Sequence, residues 1–338
     1  MGLYAPAYNR KHSEVNMGLY SHFIGIDIGK FSFVAHKHLS NEIKEYENTP
    51  SGIACFLKEY RTILPNSLCI LETTGGYEMG LLLTLCHQKL SVHRANTRKV
   101  KHFIRSYGND AKTDALDAKA LALYGYERCD KLEVYEPVSE QAMALYELVN
   151  RRQDLKQMIV AEKNRLQAPR TKIVKKSCEM MIKTLSTELE SITNEITLLI
   201  EKDVKLKKKK QVLKSVPGIG EIIANELIVL LPELGHLNRR EIASLVGVAP
   251  KSNDSGKFSG YRSTGYGRSG IKPNLFLSAM AARNSNSPLK LFYEQLIARG
   301  KKKKVALTAL MRKIIVIANA RVRDLIAEEA KMALQESV

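Results

Sequence analysis

Hydrophobic positions change their period along this chain, and each change predicts a different architecture. From Phe23 to Gly29 they run almost unbroken, interrupted by Asp27. A short apolar run closed by glycine reads as a buried strand. Phe31 to His36 predicts a second strand and Glu42 to Glu47 a weaker third. Ile53, Phe56, Leu57 and Tyr60 then adopt helical spacing within Ser51–Leu64, ended by Pro65. Ser67–Leu71 is strand-like again and stops at Glu72-Thr73-Thr74-Gly75-Gly76. Tyr77–Gln88 reads as helix, Leu90–Arg94 as strand, and Thr113–Tyr126 as helix. Strands alternating with helices in this way predict an α/β sheet with helical cover.

The middle of the chain has another rhythm. Leu145, Leu148, Leu155, Ile159 and Leu166 follow steps of three and four, with Arg152 and Glu162 at the remaining seam positions. After Pro169, the series Ile182, Leu185, Leu189, Ile192, Ile196 and Leu199 repeats that step without a fault. Two long helices follow, as an antiparallel pair or as a coiled coil that dimerises. Beyond Val212 come a helical pair, a Gly/Ser-rich loop over Lys251–Ile271, and further helices. The expected division is therefore an extension over 1–20, an α/β domain over 21–135, a helical coiled-coil linker over 136–211, and a mainly helical domain over 212–338. Met-Gly-Leu-Tyr occurs at Met1–Tyr4 and again at Met17–Tyr20, which marks the first twenty residues as an addition.

Composition narrows the partners. Among 338 residues, 53 Lys and Arg face 35 Asp and Glu, a net charge of +18. Such an excess suits a polyanion, either nucleic acid or an anionic membrane surface. No apolar run is long enough to span a bilayer, and the richest stretch, Ile222–Leu234, is broken by Asn225, Glu226 and Glu233. Cys55, Cys69, Cys86, Cys129 and Cys178 are scattered with no Cys-x-x-Cys pair, which fits a reducing cytoplasm rather than a disulfide scaffold or structural zinc. His36 and His38 share a strand face without matching partners and read as surface residues.

The candidate chemistry lies in carboxylates. Asp27 and Glu72 stand late in two predicted strands, and Asp114 and Asp117 lie three apart on one helical face. In open α/β sheets, ligands gather at strand ends. Taken singly, each acid reads as a turn former or a helix cap. Together they could hold Mg²⁺ or Mn²⁺, which favour hard oxygen ligands, and two such ions suit phosphodiester chemistry. In the second half, Ser215-Val216-Pro217-Gly218-Ile219-Gly220 before an apolar helix reads as a helix-hairpin-helix turn. Gly218 and Gly220 would let backbone N–H groups approach a phosphate; the plain alternative is a packing element. The loop beyond Pro250 holds Ser252, Ser255, Ser259, Ser263 and Ser269, and its residues alone do not choose among them.

Three blocks of sequence resemble one family. Ile24-Gly25-Ile26-Asp27, Leu71-Glu72-Thr73-Thr74-Gly75 and Lys112-Thr113-Asp114-Ala115-Leu116-Asp117-Ala118 are similar to the N-terminal domain of DEDD transposases of the insertion-sequence 110 family, which includes pilin-gene invertases. The resemblance implies a RuvC-like, RNase H-like fold, with Asp27, Glu72, Asp114 and Asp117 as the metal tetrad. Leu245-Val246-Gly247-Val248-Ala249-Pro250 followed by Ser255-Gly256 resembles the family's nucleophile segment and favours Ser255, with Ser259 as the competitor. Lys112, Lys251, Lys257, Arg262 and Arg268 are the expected phosphate contacts. The family implies donor and target DNA, a structured guide (bridge) RNA and a homo-oligomer, dimer or tetramer, acting on the bacterial nucleoid. A metal-only junction resolvase or nuclease, an invertase, and a nucleic-acid-binding protein without catalysis are the alternatives.

Overall fold

The computed structural model describes residues 19–108, 113–168, 170–256, 258–260, 262–265, 267–268 and 270–335. The chain forms two compact units, Met1–Val138 and Ser139–Val338. No described helix is long and apolar enough to cross a membrane. Lys112, Lys257, Ser269 and Pro169, singled out from the sequence, and most of the N-terminal extension lie outside the described residues.

In the first unit, strands β1 (His22–Ile28), β2 (Ser32–Lys37), β3 (Ile43–Glu47), β4 (Ser67–Glu72) and β5 (Ser91–Ala95) form one sheet in the order β3-β2-β1-β4-β5. The β1–β2 and β2–β3 pairs are antiparallel; β1–β4 and β4–β5 are parallel. Four helices accompany the sheet: α1 (Pro50–Glu59), α2 (Met79–His87), α3 (Thr97–Ser106) and α4 (Asp114–Arg128). Alternation along β1 divides two cores. Ile24, Ile26 and Ile28 pack with Phe56, Leu81 and Leu85 of α1 and α2, while Phe23 packs with Leu68, Ile70, Phe103, Leu121 and Tyr124 on the face of α3 and α4. This mixed sheet with helical cover is compatible with an RNase H-like domain.

Helix α3 is an addition to the sequence reading. Asn96 caps it by accepting from the Arg98 and Lys99 amides, and only Val100 and Phe103 are fully buried. His36 departs from expectation: it is buried, with Nδ1 3.1 Å from the Glu42 carbonyl, because β2 is an inner strand covered on both faces.

Helix α4 lies directly on β1. A Cβ on Gly25 would stand 2.1 Å from the Ala118 carbonyl oxygen and 2.3 Å from the Ala122 nitrogen. No side chain fits there, so Gly25→Ala must lift the helix from the strand. Overpacking of this kind costs about 1–3 kcal/mol. A clear drop in the urea midpoint is expected; an unchanged midpoint would mean that α4 does not rest on this glycine.

The second unit is mainly helical. Helices α5 (Glu140–Gln167) and α6 (Lys172–Lys202) double back on one another, and Arg152 Nε donates to Thr193 Oγ1 at 2.9 Å. Of the leucine–isoleucine seam, Leu155, Ile159 and Ile196 are buried within the chain, and Ile182, Leu185, Leu189, Ile192 and Leu199 are half-buried. Both helices lie within the second compact unit, Ser139–Val338. Then follow α7 (Val204–Lys214), α8 (Glu221–Leu230), α9 (Arg239–Leu245), the short strands β6 (Pro250–Lys251), β7 (Asp254–Ser255), β8 (Phe258–Ser259) and β9 (Ser263–Thr264), and α10 (Ile271–Ala282), α11 (Pro288–Ala298) and α12 (Lys303–Gln335). Leu307, Leu310, Met311, Ile314, Ile315, Ala318 and Val322 give α12 one long buried stripe, packed on α7, α9, α10 and α11.

Candidate active site

The sheet brings the first two acids side by side. Parallel pairing aligns Ile26 with Leu71, so the next residues, Asp27 and Glu72, end adjacent strands together. Alternation puts both on the face shared by Phe23, Leu68 and Ile70, which α4 covers. The direction of α4 supplies the rest. Ala118 and Ala122 lie over Gly25, whereas Gly125 lies against Ile70 and Phe23, farther back along the strands. The first turn of α4, with Asp114 and Asp117, therefore extends toward the end where Asp27 and Glu72 stand.

Capping does not account for the two aspartates. Thr113 Oγ1 accepts the Leu116 amide at 3.2 Å and performs that task itself. Asp114 is exposed, and Asp27, Glu72 and Asp117 are half-buried, open enough for a solvent-borne ion to reach. An all-oxygen donor set of this kind suits a hard divalent cation. The acids share an end and a face of the sheet, but among the described residues no three His, Cys, Asp or Glu side chains are gathered closely enough to form a metal site.

The serine segment is a β-hairpin rather than a plain loop. Pro250 pairs with Thr264 and Lys251 with Ser263; nearer the tip, Asp254 pairs with Ser259 and Ser255 with Phe258. Between them Gly260 N donates to the Asn253 carbonyl at 3.0 Å. Ser255 is exposed and immediately precedes the turn, where Gly256 has φ +56°. That left-handed value favours glycine at this step. Ser252 and Ser263 are also exposed, on the same hairpin.

The neck of the hairpin is clamped. A Cβ on Gly267 would meet the Gly247 nitrogen at 2.3 Å, so the two sides approach backbone to backbone. Arg268 N donates to the Leu245 carbonyl at 2.8 Å. Its guanidinium donates to the Leu230 carbonyl at 2.7 Å and to both Glu233 oxygens at 2.8 and 2.5 Å. Arg268 thus differs from its expected role on phosphate: a buried carboxylate already occupies its donors, and it holds the hairpin base. Lys251 and Arg262 remain exposed on the hairpin.

Other expected nucleic-acid contacts divide similarly. Gly218, at φ +91°, faces α10, and a Cβ there would lie 2.3 Å from the Ser278 carbonyl oxygen. It is a packing glycine. Gly220 precedes α8 with open space around it. In the run Lys205–Lys210, Lys210 is buried between Glu201 and Glu221 at 2.7 and 2.5 Å, and Lys207 and Lys208 pair with Glu201 and Glu329 at 3.3 Å. Part of that run is internal structure. Lys301–Lys304 are exposed.

Sequence comparison identifies what this architecture belongs to. Residues 24–171 match the DEDD IS110 family model described as a transposase, and residues 210–294 match the model described as the transposase IS116/IS110/IS902 family. A chain with both is a transposase, a DNA recombinase that cuts strands. It belongs to the IS110 family. Among its relatives, the pilin gene-inverting proteins of Moraxella bovis and Moraxella lacunata are 27% and 26% identical over 316 residues, 89% of this chain and 96% of each of theirs. A 43.6 kDa protein of insertion element IS110 from Streptomyces coelicolor is 34% identical over 128 residues, 36% of this chain and 30% of that protein.

Proposed function

We propose that this chain recombines DNA with a divalent metal held by Asp27, Glu72, Asp114 and Asp117 and a nucleophile, Ser255, carried on the hairpin of the second unit. The observation that supports it most is the pairing of β1 with β4, which ends Asp27 and Glu72 together beneath the first turn of α4. When bound, Mg²⁺ or Mn²⁺ supplies Lewis-acid stabilisation of phosphate oxygens. The four carboxylates would hold and orient it, with their side chains drawn together around the ion. Lys251 and Arg262 steady the phosphate, as would Lys257 and Lys112. Ser255 Oγ attacks phosphorus; a serine–phosphate bond forms as the strand's P–O bond breaks, and the deoxyribose oxygen leaves and takes up a proton. The bond energy is kept, so a second deoxyribose hydroxyl can displace the serine without ATP.

Two duplexes must be cut, which favours a dimer or tetramer as the working form. The excess of +18 also suits a structured guide RNA that selects donor and target. The near full-length similarity to pilin gene-inverting proteins favours inversion as the second reading, because inversion and transposition use the same strand chemistry.

The test is strand exchange by the folded protein with Mg²⁺ and the RNA that copurifies from its native host. Asp27→Asn or Asp114→Asn is expected to abolish exchange and leave the circular-dichroism melt near wild type. Full activity of folded Asp27→Asn in EDTA would remove the metal reading. One discrete RNA, encoded beside the gene, is expected; mixed cellular RNA, stripped by salt with activity kept, would remove guidance. Each phosphate neutralised adds about −0.9 to the log–log salt slope on duplex DNA.

A further inference from the structure

The loop after Glu72 is shaped by a buried carboxylate that the sequence reading left out. Beyond Glu72 the chain passes through Thr73, Thr74, Gly75, Gly76 and Tyr77 before α2 begins at Met79. Gly75 and Gly76 have φ +84° and +118°, and a Cβ at either would meet nothing within 4 Å. Packing therefore does not hold these two glycines. Glu78 does. Its side chain is fully buried, and Oε2 accepts from Thr74 N at 3.2 Å, Thr74 Oγ1 at 2.9 Å and Gly76 N at 2.9 Å.

The other oxygen reaches the sheet. Arg94 Nη2 donates to Glu78 Oε1 at 2.5 Å, with the two side chains 4% and 0% exposed. Arg94 lies on β5 directly opposite Leu71, the residue before Glu72. Thr73, the residue after it, donates from Oγ1 to the Ala95 carbonyl at 3.1 Å. Both chain neighbours of Glu72 are thus tied to β5, and the loop beyond is tied to Glu78. Burial works against ionisation of Glu78, but Arg94, its own backbone N–H and Thr74 outweigh it and hold the carboxyl below the usual glutamate range. By register, Arg94 shares the sheet face of Leu71, opposite to that of Glu72, so the pair acts through the backbone.

We propose that Glu78 and Arg94 are positioning residues that set the direction in which Glu72 presents its carboxylate to the metal. This rests on Glu72 being a ligand. Groups that orient a metal ligand typically change affinity 10- to 100-fold when altered.

The experiment uses the full chain without DNA. Free Mn²⁺ is titrated by electron paramagnetic resonance, amide exchange is followed over 73–78, and thermal melts report the fold. Glu78→Gln is expected to weaken Mn²⁺ binding 10- to 100-fold and to speed exchange at Thr74 and Gly76, with exchange elsewhere in the unit as in wild type. Glu72→Gln is expected to weaken Mn²⁺ binding without altering exchange over 73–76. Wild-type Mn²⁺ affinity in a folded Glu78→Gln protein, or unchanged loop exchange, overturns the positioning role. Wild-type affinity in Glu72→Gln instead overturns Glu72 as a ligand, and this inference with it. If Glu78→Gln fails to fold, Arg94→Lys decides: it keeps the charge and loses the planar fork, and unchanged Mn²⁺ affinity there overturns the role equally.

Discussion

Ser255→Ala is expected to bind DNA normally and to form no covalent adduct with it. Removing a nucleophile costs on the order of 10⁴-fold or more, since the remaining groups cannot replace the bond it forms. The hairpin should survive, because Ser255 is exposed and its ladder partner, Phe258, is paired through the backbone. Ser252→Ala and Ser263→Ala, on the same hairpin and equally exposed, are expected to stay active. Labelled DNA, denaturing electrophoresis and peptide mapping of the adduct give the result. An adduct on Ser259 would move the nucleophile to the opposite strand of the hairpin. Cleavage that leaves free ends and no adduct would place the protein among metal-only nucleases.

Arg152→Met is expected to produce the largest loss of stability. Arg152 donates to Glu226, and Asn274 donates to the other oxygen of the same carboxylate. The Arg152 and Glu226 side chains are 7% and 3% exposed. Through Arg152 Nε and Thr193, this centre ties α5 and α6 to α8 and α10. Removing the guanidinium leaves a carboxylate buried without its counter-charge, a loss of about 3–5 kcal/mol. Adding Glu226→Gln removes that charge and should restore a substantial part, since buried pairs are worth far less than the cost of breaking them. Urea unfolding followed by circular dichroism measures both. A loss below about 1 kcal/mol in the single variant would show that Glu226 finds another partner or water.

Much of the first unit was legible because its strands are short apolar runs and its helices have amphipathic spacing. The expected strands over 23–29, 31–36, 42–47, 67–71 and 90–94 correspond to β1 through β5 within a few residues. Helix α3 was passed over although Val100, Phe103, Ile104 and Tyr107 keep helical spacing, because Arg98, Lys99, Lys101, His102 and Arg105 make the segment polar on average. Glu78 was missed for a different reason. A glutamate after two glycines looks like a solvated turn residue; the one local sign of its role is Arg94, a charged residue inside an otherwise strand-like run. In the candidate site, the order and spacing of the four acids could be read directly, whereas their arrangement depends on β1 pairing with β4 across 45 residues.

The sequence by itself determined the local elements: the alternation of strands and helices, the long seams of α5 and α6, and the glycines where turns need them. These follow from period and backbone sterics, which act over a few residues. Only the tertiary structure decided what each charged residue faces. Glu226 and Glu233 interrupt an apolar run and look like solvent markers, yet their partners are Arg152 and Arg268, 74 and 35 residues away. Arg268 and Lys210 carry the same letters as a phosphate-binding arginine or lysine, but each is occupied by buried or neighbouring carboxylates. A side chain's charge is a local property. Whether that charge meets phosphate, a carboxylate or water depends on the chain segments that fold against it, and those come from far away in sequence.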